Sequence, residues 1–476
     1  MSTFSFRPRL PLLAAASALV LSACASLPPA EAARVAKAPQ AYAADRSLAA
    51  PTADWPADAW WTGYGDAQLN ALEDEGLKGS PSLAAAQARL RRAQALTAQA
   101  RSADLPRVGL GAEVGESKQS YNAGIPPAFV PHGYNDVGRV ALDVSWELDF
   151  FGKNRAAIAA ATSEARAAEA DAAQARLTLS TAIASTYAEL SRLYAQRDVA
   201  AQAVRLRQET SDLVAKRVAN GLDTKAESEQ AAAGPPASKA ELSALDEQIA
   251  LTRNALAALV GAGPDRGLSI TRPANVTLKP FGLPQNLPAN LIGRRPDVVA
   301  ARWRAEAATA RTRQAKAAFY PDINLAGFVG VQSLYLDKLF SSGSDIGQVG
   351  PALRLPIFQG GALRAGLRGA EADRDAAVAS YDGALTQALR EVADVTASQR
   401  ALTARLADAR AALAANENAY RIARLRYEGQ LSTYQSVLLA EQSVLAQRRV
   451  VADLESRAFA LDIALVRALG GGFTGA

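Results

Sequence analysis

The chain has 476 residues, enough by length alone for about three domains, and it contains one cysteine, one histidine and one methionine. With so few ligating and nucleophilic side chains, a zinc centre, a redox cysteine pair or a catalytic triad has almost nothing to be built from, so no enzyme, metal or cofactor is expected. The formal charge of +5 falls to +3 without Arg7 and Arg9, and the remaining basic residues are interleaved with acids, which argues against a nucleic-acid partner.

Residues 1–23 read as an export signal: a short basic start at Arg7 and Arg9, then an apolar run from Leu10 to Leu21 that is too short to span a bilayer comfortably. The run ends in Leu21-Ser22-Ala23-Cys24, which resembles the bacterial lipobox. That resemblance implies a diacylglyceryl group on the Cys24 thiol, and Ala25 rather than an aspartate implies sorting to the outer membrane. An ordinary secretory signal beside an incidental cysteine is the alternative. Residues 24–55, rich in Ala and Pro, read as a lipidated tether. His132 falls in a Pro/Gly loop, without the partners a metal site needs.

From residue 56 onward the chain is written twice, as repeats at 56–284 and 285–476. "LPRVGLGAEVG" returns as "YPDINLAGFVG" and "SPSLAAAQARLRRAQ" as "RPDVVAARWRAEAA", with both proline pairs (Pro106 and Pro321, Pro81 and Pro296) 215 residues apart. "LDFFGKNRA" is echoed by "LPIFQGGALRA", and "KRVANGLDT" by "LRYEGQLST". Each repeat reads helix, strand, loop, strand, very long helix, turn, helix. The strands are placed at about 106–116, 139–150, 321–332 and 347–358. The long helices are placed at about 153–220 and 361–428; Gly152 to Gly221 and Gly360 to Gly429 are both 69 residues. As unbroken helix each extends about 100 Å, a length suited to a coiled bundle or tube rather than a compact domain. Ile183, Leu190, Val204 and Val218, at multiples of seven, suggest a coiled-coil seam.

In the second strand, Val140, Leu142, Val144, Trp146, Leu148 and Phe150 share one face, while Arg139, Asp143, Ser145, Glu147 and Asp149 share the other. A strand on the outside of a soluble sandwich alternates in the same way. Combined with an export signal and an anchor, the pattern predicts a membrane strand whose apolar side meets lipid. Arg139, Asp143, Ser145, Glu147, Asp149, Asn324 and Arg354 are then the expected pore-lining residues. Four strands cannot close alone in lipid, so closure requires several chains, and three copies would supply twelve, a plausible even number.

"WWTGYGDAQLNAL", "LPANLIGRRPDVVAARW", "AFYPDINLAGFVG", "LPIFQGGALRA", "ALREVADV" and "RYEGQLSTYQSVLLAEQ", in this order, resemble the TolC-like outer membrane factor family, in its lipoprotein branch of nodulation-T type. The resemblance covers nearly all of the mature chain. It implies a homotrimer and a mainly α fold with a membrane β-barrel: four strands per chain, a twelve-stranded barrel per trimer and a long helical periplasmic tunnel. It also implies a passive exit duct for drugs or small toxic compounds, opened by a periplasmic adaptor and an inner-membrane pump. Trp60 and Trp61 are expected near an equatorial region. The turns after Gly221 and Gly429 are expected at the periplasmic tip, with a gate drawn from Asp223, Glu227, Tyr427, Ser436 and Leu439. Position pairs Tyr427 with Glu227 as its acid, and the family's aspartate ring falls on Ser436 and Leu439, which points to a partly apolar closure. The exit duct of a type I protein secretion system, a periplasmic adaptor and a structural coiled-coil lipoprotein are the alternatives.

Overall fold

The computed structural model of the chain describes residue 29 and residues 32–475, so Cys24 and the export signal lie outside the described residues. The chain forms two compact units. One is built around Arg91–Ala167 and Arg302–Ser380, the other from Ala36–Leu90, Ala168–Ala301 and Tyr381–Ala476. Each takes pieces from both repeats, so the repeats are units of sequence and the two bodies are not.

The first unit holds a four-stranded antiparallel sheet in the order β1 (Arg107–Ser117), β2 (Asn135–Leu148), β3 (Asp322–Ser333), β4 (Asp345–Arg354). Strict alternation sets the register: Val108 faces Val144, Leu110 faces Leu142, and Trp146 faces Leu325. The resulting apolar face is open. Val108, Leu110, Val144, Trp146, Val329, Val349 and Leu353 are all exposed, up to 78% for Val349. In a soluble sandwich this face would be covered. β4 stops at Arg354 instead of 358, because Pro356 has no N–H to offer and the chain turns at Gly360 and Gly361, both at positive φ.

Helices α1 (Ala67–Gly79) and α2 (Pro81–Arg101) precede the first strand pair, and α3 (Lys153–Ala219) follows it. After the turn come α4 (Lys225–Ala232) and α5 (Gly234–Leu259). The second repeat gives α6 (Leu287–Arg294), α7 (Pro296–Ala317), α8 (Ala362–Glu428) and α9 (Tyr434–Ala468). The long helices α3 and α8 are each 67 residues. In the first unit the duplication extends from the two hairpins down to one side-chain contact made in each repeat. Thr97 Oγ1 donates to the Ala161 carbonyl at 3.0 Å, pinning α2 to α3, and Thr312 Oγ1 does the same to Ala370 at 3.0 Å, pinning α7 to α8.

In the second unit one core gathers Trp60, Trp61 and Tyr64 with Leu69, Ile183, Leu190 and Phe459. Their rings meet edge to face at centroid distances of 5.6, 5.9 and 4.9 Å. Ile183 and Leu190 of the expected seam are fully buried, whereas Val204 and Val218 are half-buried. A second core forms around Leu291, Val298, Leu385 and Val392. Beside it the buried Arg295 donates to Asp297 at 2.6 Å, to Glu391 at 2.7 Å and to the Ala468 carbonyl at 3.1 Å, so its charge is fully answered. Residues 36–55, expected as tether, are instead packed. Ala44 is buried in the second core, and Pro51 and Ala53 exchange backbone hydrogen bonds with Leu283 at 2.8 and 3.0 Å. Backbone pairing, not a loose Ala/Pro coil, holds this segment. Among the described residues no helix is long and apolar enough to cross a membrane.

Candidate functional site: a polar sheet face and a pair of helix turns

Alternation in the first unit lines up polar side chains across strands. Arg139 lies opposite Glu113 and Gln332, Asp143 opposite Gly109 and Phe328, and Ser145 opposite Arg107 and Ala326. Asn324 stands opposite Glu147, and Arg354 opposite Asp322. The face is less acidic than the strand alone suggests, because its acids have cations. Arg139 is 3.7 Å from Asp143 and its guanidinium lies over the Phe328 ring at 5.0 Å. Lys153 Nζ donates to Glu147 at 2.9 Å and to Asp322 at 3.1 Å. The sequence reading missed Lys153 and Asp322; their signal was a lysine at the first position of α3, one residue past a glycine, free to reach back over the strand ends.

Asp149 is a correction. β2 ends at Leu148, so Asp149 is not on the strand face. The chain reverses at Gly152, at φ +78°, and the Asp149 carboxylate accepts the Arg155 backbone N–H at 2.8 Å and its Nε at 3.3 Å. It satisfies an orphan donor in the first turn of α3.

In the second unit α3 and α8 end in the same motif. After α3 the Gly221 N–H donates to Val218 and the Leu222 N–H to Arg217, both at 2.9 Å, with Gly221 at φ +71°. After α8 the Gln430 N–H donates to Tyr427 at 3.1 Å and the Leu431 N–H to Arg426 at 2.7 Å, with Gln430 at φ +61°. Both are Schellman caps. The counterpart of Gly221 is therefore Gln430, and Gly429 sits one residue earlier without a positive φ.

The two turns meet around Tyr427, which is fully buried. Its hydroxyl donates to Asp223, and the Arg217 guanidinium lies 4.2 Å from its ring centre. Arg217 Nε donates to Asp223 at 2.8 Å, and Arg217 also donates to the Tyr427 carbonyl at 2.8 Å. Burial pushes the Asp223 carboxyl up, but the hydrogen bonds from Arg217 and Tyr427 and the Arg217 charge outweigh it and hold the carboxyl below its ordinary value. Burial and the Asp223 bond raise the Tyr427 phenol. Val214, Tyr434 and Val437 pack around the cluster.

Glu227 is the second correction. Its carboxylate accepts the Thr224 N–H at 2.8 Å, and Thr224 accepts the Glu227 N–H at 3.4 Å, a capping box at the start of α4. Asp223, four residues nearer the turn, takes the place expected for it beside Tyr427. Ser436 lies in the first turn of α9, where its N–H donates to the Thr433 carbonyl at 3.1 Å, and Leu439 is 57% exposed.

A family model described as outer membrane efflux protein matches residues 72–262 and 287–471, one stretch in each repeat. The chain belongs to the outer membrane efflux protein family. Its mainly helical fold with one four-stranded sheet per chain is that of the family's channels. The outer membrane protein VceC of Vibrio cholerae superposes with a TM-score of 0.84 at 48% identity, over 88% of this chain and all of that one. The fusaric acid resistance protein FusA of Burkholderia cepacia is 38% identical over 371 residues, 76% of this chain and 69% of its own. The multidrug resistance outer membrane protein MdtP of Escherichia coli K12 is 30% identical over 439 residues, 88% of this chain and 87% of its own. As an efflux protein of this family, the chain is a transport component of the outer membrane.

Proposed function

We propose that three copies of the chain close a twelve-stranded barrel and form the passive exit duct of a tripartite efflux system for drugs or small toxic compounds. A periplasmic adaptor and an inner-membrane pump dock on the helix turns and open them. The carrying observation is the sheet: its apolar face is exposed and, among the described residues, neither edge strand, β1 or β4, has a further neighbour. Open edges are costly in lipid, and pairing β4 of one copy with β1 of the next removes all of them. The names of FusA and MdtP support small-molecule cargo, an aromatic acid among the candidates.

The lumen is lined by the polar sheet face, and the duct rests closed through Arg217, Asp223 and Tyr427. Cys24 carries the lipid anchor. The Arg34 N–H donates to Asp375, thirteen residues into α8, at 3.3 Å. The helix from Ala362 to Asp375 is about 20 Å long. The ten residues from Cys24 to Arg34 reach up to about 35 Å when extended, enough to return to the end of β4. Palmitate labelling checks the anchor: Cys24→Ala should lose the label, and equal label would remove the lipid from the scheme.

Single-channel recording of purified protein in planar bilayers tests the duct. The expected result is trimers with a small resting conductance that rises when Asp223 is replaced. Particles that never conduct, in the wild type and the variant alike, would overturn it.

A further inference from the structure

Within the first unit an open cleft of about 370 Å³ lies between α3 and α7. That volume falls within the range of small-molecule sites, about 300–1,000 Å³. Its floor is Trp303, half-buried, with the guanidiniums of Arg166 and Arg302 over the indole at 4.4 and 5.0 Å. Arg313 lines the same cleft. Glu306 also lines the cleft, but its carboxylate is answered by Arg302 at 3.8 Å, and nearby Arg311 is 3.0 Å from Glu164. Arg166 and Arg313 are not answered: among the described residues neither has a carboxylate partner.

Helix packing does not call for these side chains. The threonine contacts that pin the short helices to the long ones place the repeats in register at offsets of 215 and 209. At those offsets Trp303, Arg313 and Arg166 correspond to Ala88, Ala98 and Asp375. The equivalent positions of the other repeat thus carry two alanines and an acid. An indole with two unanswered guanidiniums has been added on one copy alone.

We propose that this cleft is a weak binding site for planar aromatic carboxylates. The ring stacks on the Arg166 guanidinium and the edge of Trp303, and the carboxylate pairs with Arg313. Guanidinium is suited to both contacts, because it stacks through its plane and donates in a fork to a carboxylate. Partly exposed contacts of this kind are weak, so affinity is on the order of millimolar, low enough for a ligand to leave again. The residues belong to one chain, so the site does not depend on how copies close into a barrel.

Ligand-observed fluorine NMR on purified trimers tests the site, with 4-fluorobenzoate as the probe and neutral 4-fluorobenzamide as its control. Wild type should broaden the benzoate line saturably, and the benzamide line much less. Arg166→Gln with Arg313→Gln should weaken benzoate binding about fivefold or more. Trp303→Leu should weaken it too, which a plain anion site would not show. The single variant Arg313→Gln, with trimers confirmed by native gel, serves if the double variant does not assemble. Unchanged broadening in the arginine variants, or equal broadening by the amide, overturns the proposal. Full binding by Trp303→Leu overturns its aromatic half. Because the readout needs no conduction, a silent channel in bilayers would leave this result standing.

Discussion

At the end of α3, Arg217 accepts the reversed N–H of Leu222; at the end of α8, Arg426 accepts that of Leu431. Every backbone role in the first turn returns 209 residues later in the second. The side chains do not follow. Asp223, gripped by Arg217 and Tyr427, has Ser432 as its counterpart, whose buried hydroxyl has no hydrogen-bond partner among the described residues. Arg217 is buried and bonded, while Arg426 is exposed. Tyr427 answers to Val218, and the capping Glu227 answers to Ser436. Main-chain geometry is fixed by orphan carbonyls that any helix end must satisfy, so duplication preserved it. Side chains across the contact are free to specialise: one turn became the acidic socket and the other the aromatic plug.

The largest effect should come from emptying the socket. Asp223→Ala leaves Arg217 buried without its acid, at a cost of about 3 kcal/mol. Amide exchange across residues 213–234 should quicken and resting conductance should rise. Ser432→Asp, the matched change in the other turn, should move neither by a comparable amount, since Arg426 is exposed. Equal responses would mean that the turns are interchangeable after all.

Acid gives a second handle on the same asymmetry. The Asp223 carboxyl is depressed in the fold, so its stabilisation is complete above the ordinary carboxylate pKa of 3.8 and is lost as pH falls through the lower folded value. Loosening of the first turn should therefore begin only below that pH. A transition near neutrality would assign the switch to another group.

Removing only the plug's hydroxyl, Tyr427→Phe, should cost about 1 kcal/mol and raise resting conductance, whereas Val218→Phe should leave the Asp223 contacts intact. Glu227→Ala should fray α4 by about 1 kcal/mol in exchange measurements without opening the duct, and Ser436→Glu should create the missing box on Thr433. A conductance rise in Glu227→Ala would restore it as the tyrosine's partner. The smallest effect should be a stabilisation. Gln430→Gly relieves a left-handed backbone and should raise thermal stability by up to about 1 kcal/mol, while Gly221→Ala should lower it by a similar amount.

Most of the architecture was legible in the sequence because it rests on period and spacing. Alternation in Val140–Leu148 located a membrane-type strand, and glycines bracketed two helices that prove equal in length. What stayed hidden depends on side-chain reach between segments far apart. The echo of 216–224 in 425–433 already sets Gln430 opposite Gly221, but the glycine brackets place Gly429 there, one residue out of step, and a left-handed glutamine leaves no mark in the sequence. Position alone points to Glu227 as the acid of Tyr427, yet a threonine three residues before that glutamate spells a capping box. Asp149 kept the alternating pattern beyond the last paired residue, where only the turn at Gly152 decides what it touches. The lysine that neutralises Glu147 and Asp322 comes from a helix, which strand periodicity does not describe.

Equal arms also constrain how such a gene can drift. One codon inserted in α3 alone would advance its end by about 1.5 Å and rotate it by about 100°, carrying Asp223 away from Tyr427. The same insertion made in both long helices would keep the turns facing each other. Length changes in this lineage should therefore be inherited in pairs, one in each half of the coding sequence, and a lone insertion should be found only with a compensating deletion in the same arm.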